Sequence, residues 1–153
     1  DPRGTTGRDE TFAIGSTRTA DPTMFAPRTD RLTNPPGEVT TRPLEGSIVE
    51  TKYVGECGAE TVAKVLAYTP EVLEQIPGTR WLLEMSEVTS AHVDARKPGG
   101  EILRLFRERG GERFAIVVPV PAIRMLITTV AFATGLPIRS FDTREQALAY
   151  LRS

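Results

Sequence analysis

The chain has 153 residues, a formal net charge of −1, 39% hydrophobic and 25% charged residues, and one cysteine, Cys57. A chain of this length can bury an adequate core without disulfides or metals. Its interspersed charge lacks the clustered basic excess of a nucleic-acid binder, and no apolar run reaches the roughly 18 residues of a membrane span. A lone cysteine makes neither an internal disulfide nor a cysteine-based zinc site. The expectation is therefore a reducing, cytoplasmic setting with no cofactor, metal, nucleic acid or transmembrane segment.

Residues 1–37 are rich in Thr, Arg, Asp, Gly and Pro, and their few large apolar residues follow no period. Such a segment buries too little surface to offset its ordering entropy. It is read as a disordered or extended N-terminal arm, either a tail or a strap that docks on a neighbouring subunit through Phe12 and Met24-Phe25. Asn34-Pro35-Pro36-Gly37 marks its end, and the folded domain is expected over 38–153.

Glu38 to Leu44 reads as an edge strand, because Pro43 would be tolerated only at an edge. Glu45-Gly46 turns into a second strand from Ser47 to Gly55, with Val49, Thr51 and Tyr53 on one face and Glu50 and Lys52 on the other. A helix follows from about Gly58 to Tyr68 on the Val62, Val65, Leu66 stripe. Thr69-Pro70-Glu71 then reads as the start of a second, short helix, stopped by Pro77-Gly78. Arg80 to Met85 is a buried strand, and Ser86 to about Lys97 a loop. Pro98 opens a helix to Arg109 with Ile102, Leu103 and Phe106 inward. Phe114 to Val118 is an apolar run of the kind covered on both faces.

Pro121 to Thr134 is the next helix, its stripe formed by Ile123, Leu126, Ile127, Val130 and Thr134. Pro137 to Phe141 is a last strand. Asp142-Thr143-Arg144-Glu145 resembles a capping box with Asp in the cap position, opening a final helix with Ala147, Leu148 and Leu151 inward. The order β-β-α-β-α-β-α-β-α predicts an α/β fold. Its sheet is mixed, mostly parallel and four- or five-stranded, with about four helices.

That order resembles the STAS (anti-sigma-factor antagonist) domains. Leu83-Glu84-Met85-Ser86-Glu87-Val88-Thr89 is similar to the family's strand-and-loop segment, commonly Leu-Asp-Leu-Ser-Gly-Val-Thr. Gly110-Gly111 before an apolar strand matches its next step. Phe141-Asp142-Thr143-Arg144-Glu145-Gln146-Ala147-Leu148 resembles its closing helix, and the ending is most like a STAS-like branch of uncharacterised bacterial proteins. The resemblance implies a STAS-like fold and a signalling role. Regulatory members carry a phosphorylated serine in the loop after Val-Thr, usually in Asp-Ser-x-Gly. Laid on this chain without gaps, His92 falls at the acid and Val93 at the serine. Moved so that Asp94 takes the acid, Ala95 takes the serine. Neither register supplies a hydroxyl, so a phosphate switch at that position is not expected.

The remaining candidates have plain readings. His92, the single histidine, lacks a nucleophile or metal-ligand partner in the sequence and reads as a surface-loop residue. Asp94 precedes a helix and reads as its cap, with a fixed negative charge near the phosphate position as the functional alternative. Cys57, near a helix start without a basic neighbour, reads as structural. Lys97-Pro98-Gly99-Gly100 is a flexible helix start whose lysine precedes the glycines, unlike a phosphate loop. Trp81 is core packing, and Arg104, Arg107, Glu108, Arg109 and Arg113 a solvated face.

Two functions are carried forward. The first is a non-enzymatic protein-interaction module that lacks the phosphoacceptor serine. It would bind a protein partner of a regulatory assembly, or self-associate, through the Thr89–Gly100 loop and the exposed side of the following helix, with Thr89, Ser90, His92, Asp94, Arg96 and Lys97 as contact residues. The alternative is a small-ligand or lipid carrier of STAS-like fold. A deep apolar cavity would favour the carrier, and a shallow apolar patch around the loop the adaptor. No nucleophile–base pair or metal cluster points to an enzyme.

Overall fold

Alternating residues along the central strands point to opposite faces, so one run of sequence builds two unlike surfaces. The computed structural model of the chain describes residues 25–135 and 138–153. Residues 1–24 of the expected arm, Phe12 and Met24 among them, lie outside these, as do Pro137 and the side chains of Leu126, Val130 and Thr134. Six strands lie side by side in chain order. They are β1 (Arg28–Thr33), β2 (Pro36–Pro43), β3 (Ile48–Cys57), β4 (Arg80–Ala91), β5 (Arg113–Val117) and β6 (Ile138–Phe141). β1, β2 and β3 pair antiparallel, and β3 to β6 pair parallel. Parallel neighbours need crossovers, supplied by α1 (Ala59–Gln75), α2 (Arg96–Glu108) and α3 (Pro121–Thr134). α4 (Arg144–Arg152) closes the chain.

Helices α1, α2 and α3 cover one face. Trp81, Phe106 and Phe114 meet there, with Phe106 edge-on to Phe114 at 5.3 Å between ring centroids. A buried chain of polar groups crosses this core. Trp81 Nε1 donates to Thr51 Oγ1 at 2.9 Å, Thr51 and Thr41 share a hydroxyl bond of 2.8 Å, and Tyr68 donates to Thr41 Oγ1 at 2.7 Å. Each partner removes the cost of an unpaired buried polar group. Among the described residues the other face is covered by α4, through Ala147 and Leu151 on Ile48, Leu82, Ala115 and Val117.

The fold is the expected mixed α/β one with a STAS-like order, but the sheet has six strands rather than four or five. The added strand is β1, inside the segment read as an arm. Asn34-Pro35 turns β1 into β2, and Phe25 is fully buried beside Tyr68. Arg28 reaches Glu71 at 2.7 Å. Among the described residues the sheet begins at Arg28, and β1 rather than β2 is its edge. Period-2 reading misses β1 because its less exposed face carries Arg28, Asp30 and Leu32, of which only Leu32 is apolar.

Thr69-Pro70 does not restart a helix, because α1 runs through it. Pro70 lacks an N–H for the Leu66 carbonyl, yet Val62, Val65, Tyr68, Thr69 and Val72 form one continuous buried stripe. The Thr69 hydroxyl donates to the Val65 carbonyl at 2.8 Å. The loop expected from Ser86 starts later, because β4 continues to Ala91. Register shifts between Lys52 and Val54 and between Gly55 and Glu56 break the alternation that would have revealed it. At α4 the cap is Thr143, one residue after Asp142, and its hydroxyl accepts from Gln146 N at 3.3 Å.

Candidate functional site

The C-terminal ends of β3 and β4 meet the N-termini of α1 and α2, and the expected contact residues gather there. Thr89 and Ser90 are exposed near the C-terminal end of strand β4 rather than in a loop. His92 leads into a 3₁₀ turn over Val93–Ala95, and Arg96 and Lys97 open α2.

Gly58 is the N-cap of α1 and has no side chain to satisfy the helix's first N–H groups. Asp94 does so from 35 residues away, accepting from Ala59 N at 3.1 Å. Its carboxylate therefore caps α1, not the helix that follows it in sequence. His92 N donates to the Cys57 carbonyl at 2.9 Å, and its Nε2 pairs with Glu56 Oε1 at 2.9 Å. The turn is thus fastened to β3 and α1 by His92 and Asp94. Glu56 was not legible as a partner, because only the parallel register of β3 and β4 brings it close.

Other side chains at this end remain outward. Val93 is 64% exposed. Arg96 and Lys97 are exposed in the first turn of α2, which holds no acidic residue and no side-chain cap. Two cations there oppose the partial positive charge of a helix N-terminus. Cys57, just beneath, ends β3 rather than starting a helix and is buried. Desolvation, then the nearby Asp94 charge, pushes its thiol up to about 12. A thiol so held is protonated at neutral pH and is no nucleophile.

Beneath α2 lies a cavity of about 100 Å³ between the sheet and the helices. Trp81, Leu83, Met85, Ile102, Ile123 and Ile127 form much of its wall, and Arg96 is the one charged residue among the described residues lining it. On the opposite face a polar hollow of about 460 Å³ is bounded by Arg42, Glu50, Lys52, Glu84, Ser86 and Arg144. Its charges answer each other. Arg42 Nε donates to Glu50 Oε1 at 2.8 Å, Arg144 contacts Glu50 Oε2, and Ser86 N donates to Glu84 Oε2 at 3.2 Å. The expected solvated face on α2 is present in part. Arg104 pairs with Glu101 and Glu108, but Arg113 is drawn to the Tyr150 carbonyl at 2.8 Å and lies over its ring.

Among the described residues no group of three His, Cys, Asp or Glu side chains is placed to hold a metal ion. No described helix is long and apolar enough to cross a membrane.

The pattern of the SpoIIAA-like family matches residues 48–152. The fold is similar to the anti-sigma factor antagonist SpoIIAA in its unphosphorylated form, with a TM-score of 0.60 at 14% identity over 75% of this chain and 98% of that one. It is also similar to an anti-sigma factor antagonist from Mycobacterium paratuberculosis, with a TM-score of 0.58 at 20% identity over 76% and 95% of the two chains. An uncharacterised Shewanella loihica protein with a SpoIIAA-like fold has a TM-score of 0.54 at 17% identity over 75% and 93%. No curated protein matches the sequence.

Proposed function

The chain belongs to the SpoIIAA-like family, and on that premise we propose that it is a non-enzymatic regulatory module that recognises a protein partner without a phosphoacceptor serine. The recognition surface is the end of β4, the Val93–Ala95 turn and the first turn of α2. The observation that carries this reading is the unspent charge of Arg96 and Lys97. Both cations sit where a helix start disfavours them and no acid answers them in that turn, so folding gains little from them. Exposed Val93 beside them supplies an apolar contact, and the fastening of His92 and Asp94 lowers the entropy lost on binding. An acidic partner surface fits this chemistry. Positions 93 and 95 carry Val and Ala, so the surface works without phosphate.

The test is a pull-down from the native host with the chain carrying Arg96→Glu and Lys97→Glu, paired with a melting curve. Acids at a helix start stabilise it by about 0.3–1 kcal/mol each, so the variant melts no lower than the parent while partner recovery collapses. Undiminished recovery with the folded variant removes this surface as the recognition site. Substantial phosphate found on Thr89 or Ser90 in the host would restore a phosphate switch with a displaced acceptor.

The carrier reading has the apolar cavity in its favour. Its volume lies below the roughly 300 Å³ of pockets that enclose drug-sized ligands, which argues against a whole lipid.

A further inference from the structure

Among the described residues β6 is the last strand of the sheet, and only β5 pairs with it. Val118 N donates to the Phe141 carbonyl at 3.4 Å, so the peptide groups of Phe141 and, two residues back, Arg139 face β5. Those of Ile138 and Ser140 face the other way, where no described strand takes them up. Ser140 is exposed. The four residues of β6 pair with β5 without a register shift, and no proline stands among them. Such an edge is a template for a further strand unless something blunts it. The helix beside it is apolar on its outer side. α3 runs towards β6 and packs against it. Met125 is 72% and Phe132 90% exposed. Two helical turns apart, they form one stripe on the side of α3 away from buried Ile123 and Ala131. With Val120 at the N-cap they are three of the four exposed large apolar side chains among the described residues.

We propose that a second copy of this chain covers both features, joining β6 to β6 antiparallel about a two-fold axis at Ser140. The register follows from phase and charge. Ser140 meets its own copy with outward peptide groups, so the two serines exchange both backbone hydrogen bonds. Arg139 of each copy then lies opposite Phe141 of the other, a cross-strand cation–aromatic pair. Within one chain Arg139 already lies over the Phe141 and Tyr150 rings, at 5.8 and 5.0 Å from their centroids. An axis at Arg139 would instead set two guanidinium groups directly opposite, which is destabilising. The axis stands perpendicular to the sheet and preserves its faces. α3 of each copy therefore comes beside α3 of the other, on the face that carries α1 and α2. That neighbour is needed, because a pair of four-residue strands falls short of the roughly 1,600 Å² that a stable interface buries. The stripe of Met125 and Phe132 adds apolar area where the strands alone are too small. This surface includes neither Arg96 nor Lys97, so a failed pull-down leaves it standing, and a failed dimer leaves the partner reading standing.

The experiment is sedimentation equilibrium of the full chain from micromolar to millimolar concentration, on the parent, Ser140→Pro and Phe132→Glu. Crosslinking of Ser140→Cys by a short bismaleimide accompanies it. The parent should form a dimer. Ser140→Pro removes an N–H that faces away from β5, so the β5–β6 ladder and the melting midpoint should hold. The dimer dissociation constant should rise at least about tenfold, because the proline blocks the shared edge. Phe132→Glu alters a side chain that the single chain leaves exposed. It should weaken the dimer by at least about tenfold without lowering the midpoint, and it keeps the test open if the proline disturbs folding. Cys57 is the one native cysteine and is buried, so the thiol introduced at 140 is the accessible one. It sits on the axis and should be trapped as a covalent dimer. A parent that stays monomeric overturns the proposal, and co-sedimentation of that monomer with phosphatidylglycerol vesicles would give the α3 stripe to a lipid surface instead. Dimers that both variants keep at full strength, or that leave Ser140→Cys uncrosslinked, place the contact elsewhere and overturn it as well.

Discussion

The two faces of the sheet are made from the same strands and solve burial differently. Towards α1, α2 and α3, β3 and β4 send Thr51, Tyr53, Trp81 and Met85 into an aromatic core whose polar atoms are joined in one hydrogen-bonded chain. Towards α4 the same strands send Ile48 and Leu82 under the helix, but Glu50 and Glu84 just beyond it, both nearly inaccessible and held by Arg42, Arg144 and Ser86. One face is stabilised by area removed from water, which is insensitive to partner identity. The other depends on charges that must all be present, because removal of one leaves another buried and uncompensated. Helices α1, α2 and α3 bury an aromatic core, whereas α4, among the described residues, leaves a rim where ion pairs replace packing.

Substitution separates the two solutions. Trp81→Ala should cost about 3–5 kcal/mol, the range for a fully buried large aromatic, and it also orphans part of the Thr51–Thr41–Tyr68 chain. Urea unfolding measures it, and a loss under about 2 kcal/mol would mean that the core relaxes into the space. Arg144→Ala should cost about 2 kcal/mol, below the 3–5 of a fully buried pair because Arg144 is partly exposed. If the double substitution of Glu50 and Arg144 by Leu and Met restores or exceeds parental stability, the polar rim is not a source of net stability.

Alkali probes the first face. Burial holds the Cys57 thiol neutral to about 12 against an ordinary 9.0, and it holds Tyr53 well above its ordinary 10.0. Above pH 9 the unfolded chain therefore releases protons that the folded chain keeps. Stability from Cys57 is intact below that pH and is lost as pH rises from 9 towards 12. Between pH 8 and pH 10 the loss from this thiol is on the order of 1 kcal/mol, and Cys57→Ala should remove that part of the slope in denaturation curves at the two pH values. An unchanged slope would mean that the thiol gains solvent access in the folded state.

The smallest effect sits where the faces end. Asp94→Ala should cost about 1 kcal/mol by uncapping α1, with amide hydrogen exchange rising at Ala59 and its neighbours rather than at the start of α2. Faster exchange confined to α2 would assign the cap to the helix that sequence order suggests.

By itself the sequence determined the alternation of strands and helices, the inward stripes of α2 and α4, the role of Trp81 and the STAS-like order, because these rest on periodicities of 2 and 3.6 that are local. It also determined the absence of a hydroxyl at positions 93 and 95. Only the tertiary structure decided that Arg28–Thr33 is a strand, since an edge strand takes its order from its neighbour and from Phe25 beneath it. Only the structure could carry β4 past Ser86, because register shifts hide alternation. It alone joined Asp94 to Ala59, His92 to Glu56 and Glu50 to Arg144. Those pairs lie far apart in the chain, and nothing in either segment specifies the other until the parallel register of β3 and β4, and the turn into α4, set them side by side.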